Sequence, residues 1–376
     1  MNTFQRFAWT GLLWAMSSCT TWAAEPIRIG IVTESTGANA ELGMHSLRGA
    51  QFAVDEINKA GGVLGRPLEL EIEDNQSTNP GSVRAFSKII EKGLSVAVVG
   101  PIRSTQVLAI APAVLKAGIP VMVGGTDYVL THAGNPWIFR ARPHDGYSAK
   151  VIADFGVNAL KRSRWAIVHS TETFGISGKN RLVEALQAYG IVPVTVQSMN
   201  TGNSQDLSQL IQAINASNAD IVASYIVGPT DVAAFATQLR QSGSSATLIG
   251  SPSLATDAAL KLGGAALYDS YSIADFVTDA NPEAKTFALK YKERFGLEAD
   301  LFPSWAYDAV NLLAEAIKSA NSTQPQAIRK SMLAIQGYKG AEGTYHYDQN
   351  GDGLHGYNVV RNDRGKVVFI KHVSFN

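Results

Sequence analysis

From residue 27 onward the chain repeats a fixed alternation, a short β-rich apolar run followed by a longer stretch with helical spacing, and that alternation leaves few folds open. "IRIGIV" alternates Ile27, Ile29 and Ile31, and "SLRGAQFAVDEINKAGG" then sets Leu47, Ala50, Val54 and Ile57 on one helical face before Gly61 and Gly62 stop it. "LELEIED" reads as the next strand. "PGSVRAFSKIIEKG" reads as a helix with Val83, Phe86 and Ile90 facing inward, and "VAVVG", a helix after Ser104, and "IPVMVGG" follow. Strand, helix, strand in this rhythm predicts a parallel sheet covered by helices on both faces.

After "FRARPHDG" the rhythm starts again, with a helix near 146–160, the strand "WAIVHS", a helix ending near Tyr189, then "IVPVTV", "DIVASYIV" and "TLIGS" separated by further helical stretches. A third block holds helices over "NPEAKTFALKYKERFG", "PSWAYDAVNLLAEAIKSAN" and residues near 325–335, and turn-linked strands close the chain. The prediction is an α/β protein of two similar units. A length of 376 residues with 45% hydrophobic content supplies a core for each. Lys plus Arg (32) equals Asp plus Glu (32), so no net field draws the chain to nucleic acid or an anionic membrane, and recognition must come from a shaped site.

The first residues carry Arg6, an apolar run from Phe7 to Met16, and then small and polar residues. That is the layout of a secretory signal over residues 1–23, with cleavage after Ala23; a spanning helix needs roughly 20 apolar residues. The single cysteine, Cys19, lies inside it, so the mature chain has no disulfide or thiol nucleophile. Acylation at Cys19 is the alternative, against which Met16 is a poor match to the usual Leu of a lipoprotein signal.

In open parallel sheets ligands bind beyond the carboxyl ends of the strands. Two adjacent strand ends here are short of bulk: "VVGPIRSTQ" brings Ser104 and Thr105 to a helix start, and "VMVGGTD" brings Gly124, Gly125 and Thr126. Ser104 serves either as an N-cap or as part of a carboxylate site at the helix N-terminus. The glycines serve either turn geometry or a ligand notch. In the second unit "HSTETFGISG" offers Phe174, which covers a ligand or packs within its loop.

The segments "IRIGIVTESTG", "LRGAQFAVDEINKAGGVLGRPLELEIEDNQSTNP", "VVGPIRSTQVLAIAPAVLKAGIPVMVGGTD" and "FRARPHDG" resemble the leucine/isoleucine/valine-type periplasmic binding proteins, the receptors of branched-chain amino-acid ABC importers. The resemblance covers the chain from about residue 26 and implies two Rossmann-like lobes joined by a three-crossing hinge. Crossings are expected near Ala141–Pro143, Ser272–Asp275 and Tyr347–Asn350, giving lobes of 26–142 plus 273–347 and 143–272 plus 348–376. It further implies that Ser104, Gly125 and Thr126 hold a ligand carboxylate, that Phe174 covers the ligand where the family usually has Tyr, and that the protein is a periplasmic monomer delivering a small solute to ABC membrane subunits. One departure stands out: where the family carries an acid for the ligand ammonium, this chain reads Ser251, Pro252 and Ser253. Glu34 is a possible substitute; the alternative ligand is an amide, urea or aromatic acid, and a ligand-sensing regulator is the alternative role.

No cofactor, metal or enzyme motif competes with this reading. "DQNGDG" opens like a calcium loop, but Val359 stands where the last ligand should be Glu, so it reads as a turn. His169 stands alone at a strand end, and phosphate-loop, dinucleotide and nucleophile-elbow patterns are missing.

Overall fold

The computed structural model describes residues 25–203 and 205–375. The expected leader, with Cys19, lies outside them.

The first sheet contains β1 (Ile27–Thr33), β2 (Leu68–Asp74), β3 (Ser95–Val99), β4 (Val121–Val123) and β5 (Ile138–Arg140), all parallel in the order β2-β1-β3-β4-β5. The second contains β6 (Trp165–Ser170), β7 (Thr195–Met199), β8 (Ile221–Tyr225), β9 (Thr247–Gly250) and β10 (Tyr271–Ala274). A separate ribbon pairs β11 (Gln336–Lys339) with β12 (Thr344–His346), and β13 (Gly356–Asp363) and β14 (Lys366–Ser374) add an antiparallel hairpin beyond β10, so the second sheet is mixed.

Side-chain alternation sorts each strand between two cores. Ile27, Ile29 and Ile31 join a cluster with the helices Ala40–Lys59 and Leu301–Ala320, whereas Val32 and Val98 join the opposite cluster under the helices Asn79–Lys92 and Ser104–Ala117. In the second lobe Ala166 and Val168 face one way, and Trp165 and Ile167 the other. Both faces being covered, β6 and β8 are buried along their whole length and are predominantly apolar rather than alternating. Each fully buried Ile or Val contributes roughly 1.5–3 kcal/mol, more than the whole spread of strand propensities.

Four details differ from the sequence reading. Helix Asn79–Lys92 buries Phe86 and packs Ile90 partly against the core as expected, but it also buries Ser82, Ala85 and Ile89 while Val83 faces solvent. Strand β7 begins at Thr195 rather than near Ile191, since Pro193 has no N–H for the ladder. Strands β5 and β10, of three and four residues, are too short to carry an alternation pattern. Residues 273 and 274, assigned to the first lobe, pair within the second sheet as the end of β10, while Asp352, assigned to the second lobe, bridges to Arg140 at the end of β5.

The crossings are tied together by buried side chains. Arg142, on the segment after β5, pairs through Nε with Asp275, just after β10. The Tyr345 hydroxyl donates to the Ala141 carbonyl at 2.8 Å and the Tyr357 hydroxyl to that of Pro143 at 2.8 Å. The "DQNGDG" segment is a turn around Asp348, and its Asp352 carboxylate accepts from Arg140 Nε at 2.7 Å.

Candidate functional site

Between the sheets lies a cleft with about 730 Å³ of empty space. Its first wall is made at the carboxyl ends of β3 and β4. Helix Ser104–Ala117 has Arg103 at its N-cap, extended and without a side-chain capping bond. Ser104 is not capping its own helix: its Oγ accepts the Asp127 amide at 3.2 Å, across the β4 end. The first-turn N–H groups and the positive end of the helix dipole are therefore left for something else. Ser104 and Thr126 are 4% and 2% exposed, and both line the cleft with Thr105. The amides of Gly125 and Thr126 donate to no other group among the described residues, an uncommon condition for buried backbone.

Gly124 and Gly125 do not line the cleft. A Cβ on Gly125 would lie 3.2 Å from Ser104 Cα and 2.7 Å from Leu130, and one on Gly124 would lie 3.2 Å from the Trp305 ring. Their smallness lets the helix start and Trp305 close onto the strand end, so the space expected there is filled by protein. Their carbonyls do fixed work: Gly124 accepts Arg142 Nη1 and Gly125 accepts Arg140 Nη1, each at 2.9 Å.

The second wall comes from three loops of the other lobe. Helix Thr173–Gln187 is drawn down onto the sheet at Gly178, where a Cβ would meet the Tyr225 ring at 2.0 Å. That approach sets Glu172 and Phe174 at the cleft, the Phe174 ring 6.0 Å from that of Tyr225. Val227, Gly228 and Pro229 follow β8, and Pro252, Ser253 and Thr256 follow β9. Tyr225 itself is fully buried, its hydroxyl 2.7 Å from Ser148 Oγ. Leu42, Ile102, Leu301 and Phe302 add apolar surface from the first lobe.

Charge in this region is mostly internally matched. Arg103 pairs with Glu34 at 2.7 Å, and Gln106 donates to the same oxygen at 3.0 Å. Glu34, a candidate ammonium acceptor by sequence, is engaged through Oε1 while its buried Oε2 has no partner, and it is absent from the cleft lining. Arg142 reaches the cleft while holding Asp275. Burial works against its charge, but Asp275, Tyr357 and Glu342 outweigh it and hold its pKa above the ordinary value. Behind Thr126, burial pushes the Asp145 carboxyl up to about 7, Asp127 adding to the rise while Thr126, Arg140 and Arg142 oppose it. Its Oδ2 has no partner. His169 is 8% exposed, its Nδ1 2.9 Å from the Ser170 carbonyl oxygen, and it is not at the cleft.

The lobes touch at the rim. Ser177 Oγ, on the second-lobe helix, donates to Asp127 Oδ1 at 3.1 Å, and the Arg181 guanidinium lies 4.4 Å from the Tyr128 ring centre. Sequence reasoning missed Arg142 and Glu172 as cleft residues. Arg142 stands in the quoted "FRARPHDG" and Glu172 two positions before Phe174, but spacing gives no sign that either side chain reaches the cleft.

Among the described residues no helix is long and apolar enough to cross a membrane, and no group of three or more His, Cys, Asp or Glu is placed to hold a metal ion. Residues 26–366 match the family described as periplasmic binding protein. Similar curated proteins include the Leu/Ile/Val-binding protein BraC3 of Rhizobium johnstonii, 29% identical over 91% of this chain and 93% of that one. Another is an amino acid binding protein of Pseudomonas aeruginosa, 26% identical over 88% of each. Among solved structures, a leucine binding protein from Thermotoga maritima superposes with a TM-score of 0.85 at 25% identity, covering 93% of this chain and 99% of that one. A solute binding protein of an ABC transporter from R. palustris, in complex with benzoate, superposes with a TM-score of 0.84 at 18% identity, covering 93% and 96%. These are binding proteins rather than enzymes, and the chain belongs to the periplasmic binding protein family.

Proposed function

We propose that the protein is the receptor of an ABC importer and captures a small carboxylate between its two lobes. The reading is carried by one observation: the buried amide of Thr126 lies without an acceptor at the cleft, beside an uncapped helix start and the buried hydroxyls of Ser104 and Thr126. Ser104, Thr105 and Thr126 hold the anionic end, as donors at a helix N-terminus suit an anion, and Phe174 covers the remainder. A solute touching both walls favours the closed arrangement and shifts the population toward it. The protein acts as a monomer after export directed by residues 1–23, and the closed form is what the membrane subunits receive. The lobes divide after Ala141, after Ala274 and after Asp352.

Relatives named for amino acids support an amino acid as the solute. The second reading, a carboxylate without an amine, is favoured by Ser251, Pro252 and Ser253, which bring no acid to the β9 end. Thermal unfolding of residues 24–376 against amino acids, their des-amino acids, amides, urea and aromatic acids tests both. Ligand at 100 times its Kd adds about 2.7 kcal/mol. Stabilisation by carboxylates supports the proposal; response to none of them, or to neutral amides or urea alone, overturns it.

A further inference from the structure

We propose that Glu172 binds the cationic end of the solute, so that the cleft selects zwitterions, with the carboxylate on the first wall and the ammonium on the second. This rests on the small-carboxylate reading above and names the part of the solute that reading leaves open.

Three charged residues line the cleft among the described residues: Arg103, Arg142 and Glu172. Both arginines are already matched, Arg103 by Glu34 and Arg142 by Asp275. Glu172 is not: its Oε1 accepts from Thr201 Oγ1 at 2.8 Å, and it enters no ion pair. The unmatched charge of the cleft is therefore a single carboxylate on the second wall, facing a first wall whose unmatched groups are N–H donors. That arrangement is complementary to a dipolar solute.

Two features fit Glu172 to the task. It is the N-cap of helix Thr173–Gln187 without a capping bond, and the dipole of that helix favours a negative charge there. Five residues on, Ser177 of the same helix bonds Asp127, the neighbour of Thr126, so this helix start meets the first wall when the lobes are together. An ammonium enclosed there without a counter-charge would be strongly disfavoured, and Glu172 supplies one. A zwitterion bridges the lobes through both its charges, whereas a des-amino acid grips the first wall alone and leaves Glu172 enclosed and unmatched.

The test is calorimetric titration of the wild type, E172Q and E172D at pH 7 with the twenty amino acids and their des-amino counterparts, such as leucine and 4-methylpentanoate. The wild type is expected to prefer the amino acid of its best pair by about 30-fold or more, the scale of one charged hydrogen bond. E172Q should erase that preference, leave the des-amino acid bound as before or tighter, and E172D should recover part of it. If amino acids bind and E172Q keeps the preference, Glu172 is not the cation site. If des-amino acids bind as well as or better than amino acids in the wild type, zwitterion selection is refuted while the carboxylate receptor stands, and this comparison holds even if E172Q fails to fold. If neither class binds, the receptor reading falls and this inference with it.

Discussion

The first wall of the cleft offers backbone amides and hydroxyls locked by the scaffold; the second offers loop side chains. Ser104 and Thr126 are nearly inaccessible, and the carbonyls around them are pinned by Arg140 and Arg142. Glu172 and Phe174 are half-buried, and they stand on the second wall with Pro229 and Pro252, which stiffen its loops. The difference divides the labour. On the proposed reading a carboxylate, common to many solutes, meets rigid donors that need no adjustment on binding. The part that differs between solutes is met by side chains that can be exchanged without disturbing the sheet.

The largest expected effect breaks the first wall's support. Arg142→Met strands Asp275 as a buried unpaired carboxylate and should destabilise the fold by about 3–5 kcal/mol in urea unfolding, with Asp275→Leu recovering most of the loss in the double variant. An Arg142→Met protein as stable as the wild type would show that the crossings are held elsewhere.

Asp145 gives the next. Its folded pKa of about 7 lies above that of an unfolded aspartate, so its contribution to stability is full below about pH 4, falls as pH rises toward 7, and is gone above that. Asp145→Asn should remove this slope, gaining up to about 4 kcal/mol relative to the wild type between pH 4 and pH 8. Parallel stability curves for the two proteins would contradict a buried neutral Asp145.

Thr126→Ala sharpens the comparison directly and should weaken ligand binding by about 1–3 kcal/mol by calorimetry, with little change in stability. Unchanged affinity would remove Thr126 from the site. The smallest effect is at the rim: Ser177→Ala with Arg181→Ala loses contacts made only when the lobes are together, and should raise the apparent Kd roughly three- to fivefold by opening the unliganded ensemble. An unaltered Kd would mean that these contacts do not bias closure.

How much was legible in the sequence follows the same division. "WAIVHS" matches β6 residue for residue because a strand buried along its whole length is mostly apolar, and "LELEIED" matches β2 because an edge strand that is only partly covered alternates. Ser104 and Thr126 were found because strand ends and helix starts punctuate the chain. Gly124 and Gly125 were found for a different reason from the one that holds, since smallness at a strand end admits protein as readily as ligand. Glu172 was missed because which of several loop residues turns inward depends on how closely helix Thr173–Gln187 approaches Tyr225, a tertiary distance that spacing does not carry. Arg142 was missed because its direction depends on Asp275, 133 residues away.

The most direct test is a distance measured between the lobes. With the chain started at residue 24 no cysteine remains, so K88C and V192C place spin labels on exposed positions of the first and second lobes for double electron–electron resonance. The measurement is made with and without whichever carboxylate stabilises the protein most. A distribution that narrows to one distance at saturation, and fails to do so in Thr126→Ala at the same concentration, is the predicted result. A distribution unchanged by saturating ligand would contradict closure about the solute.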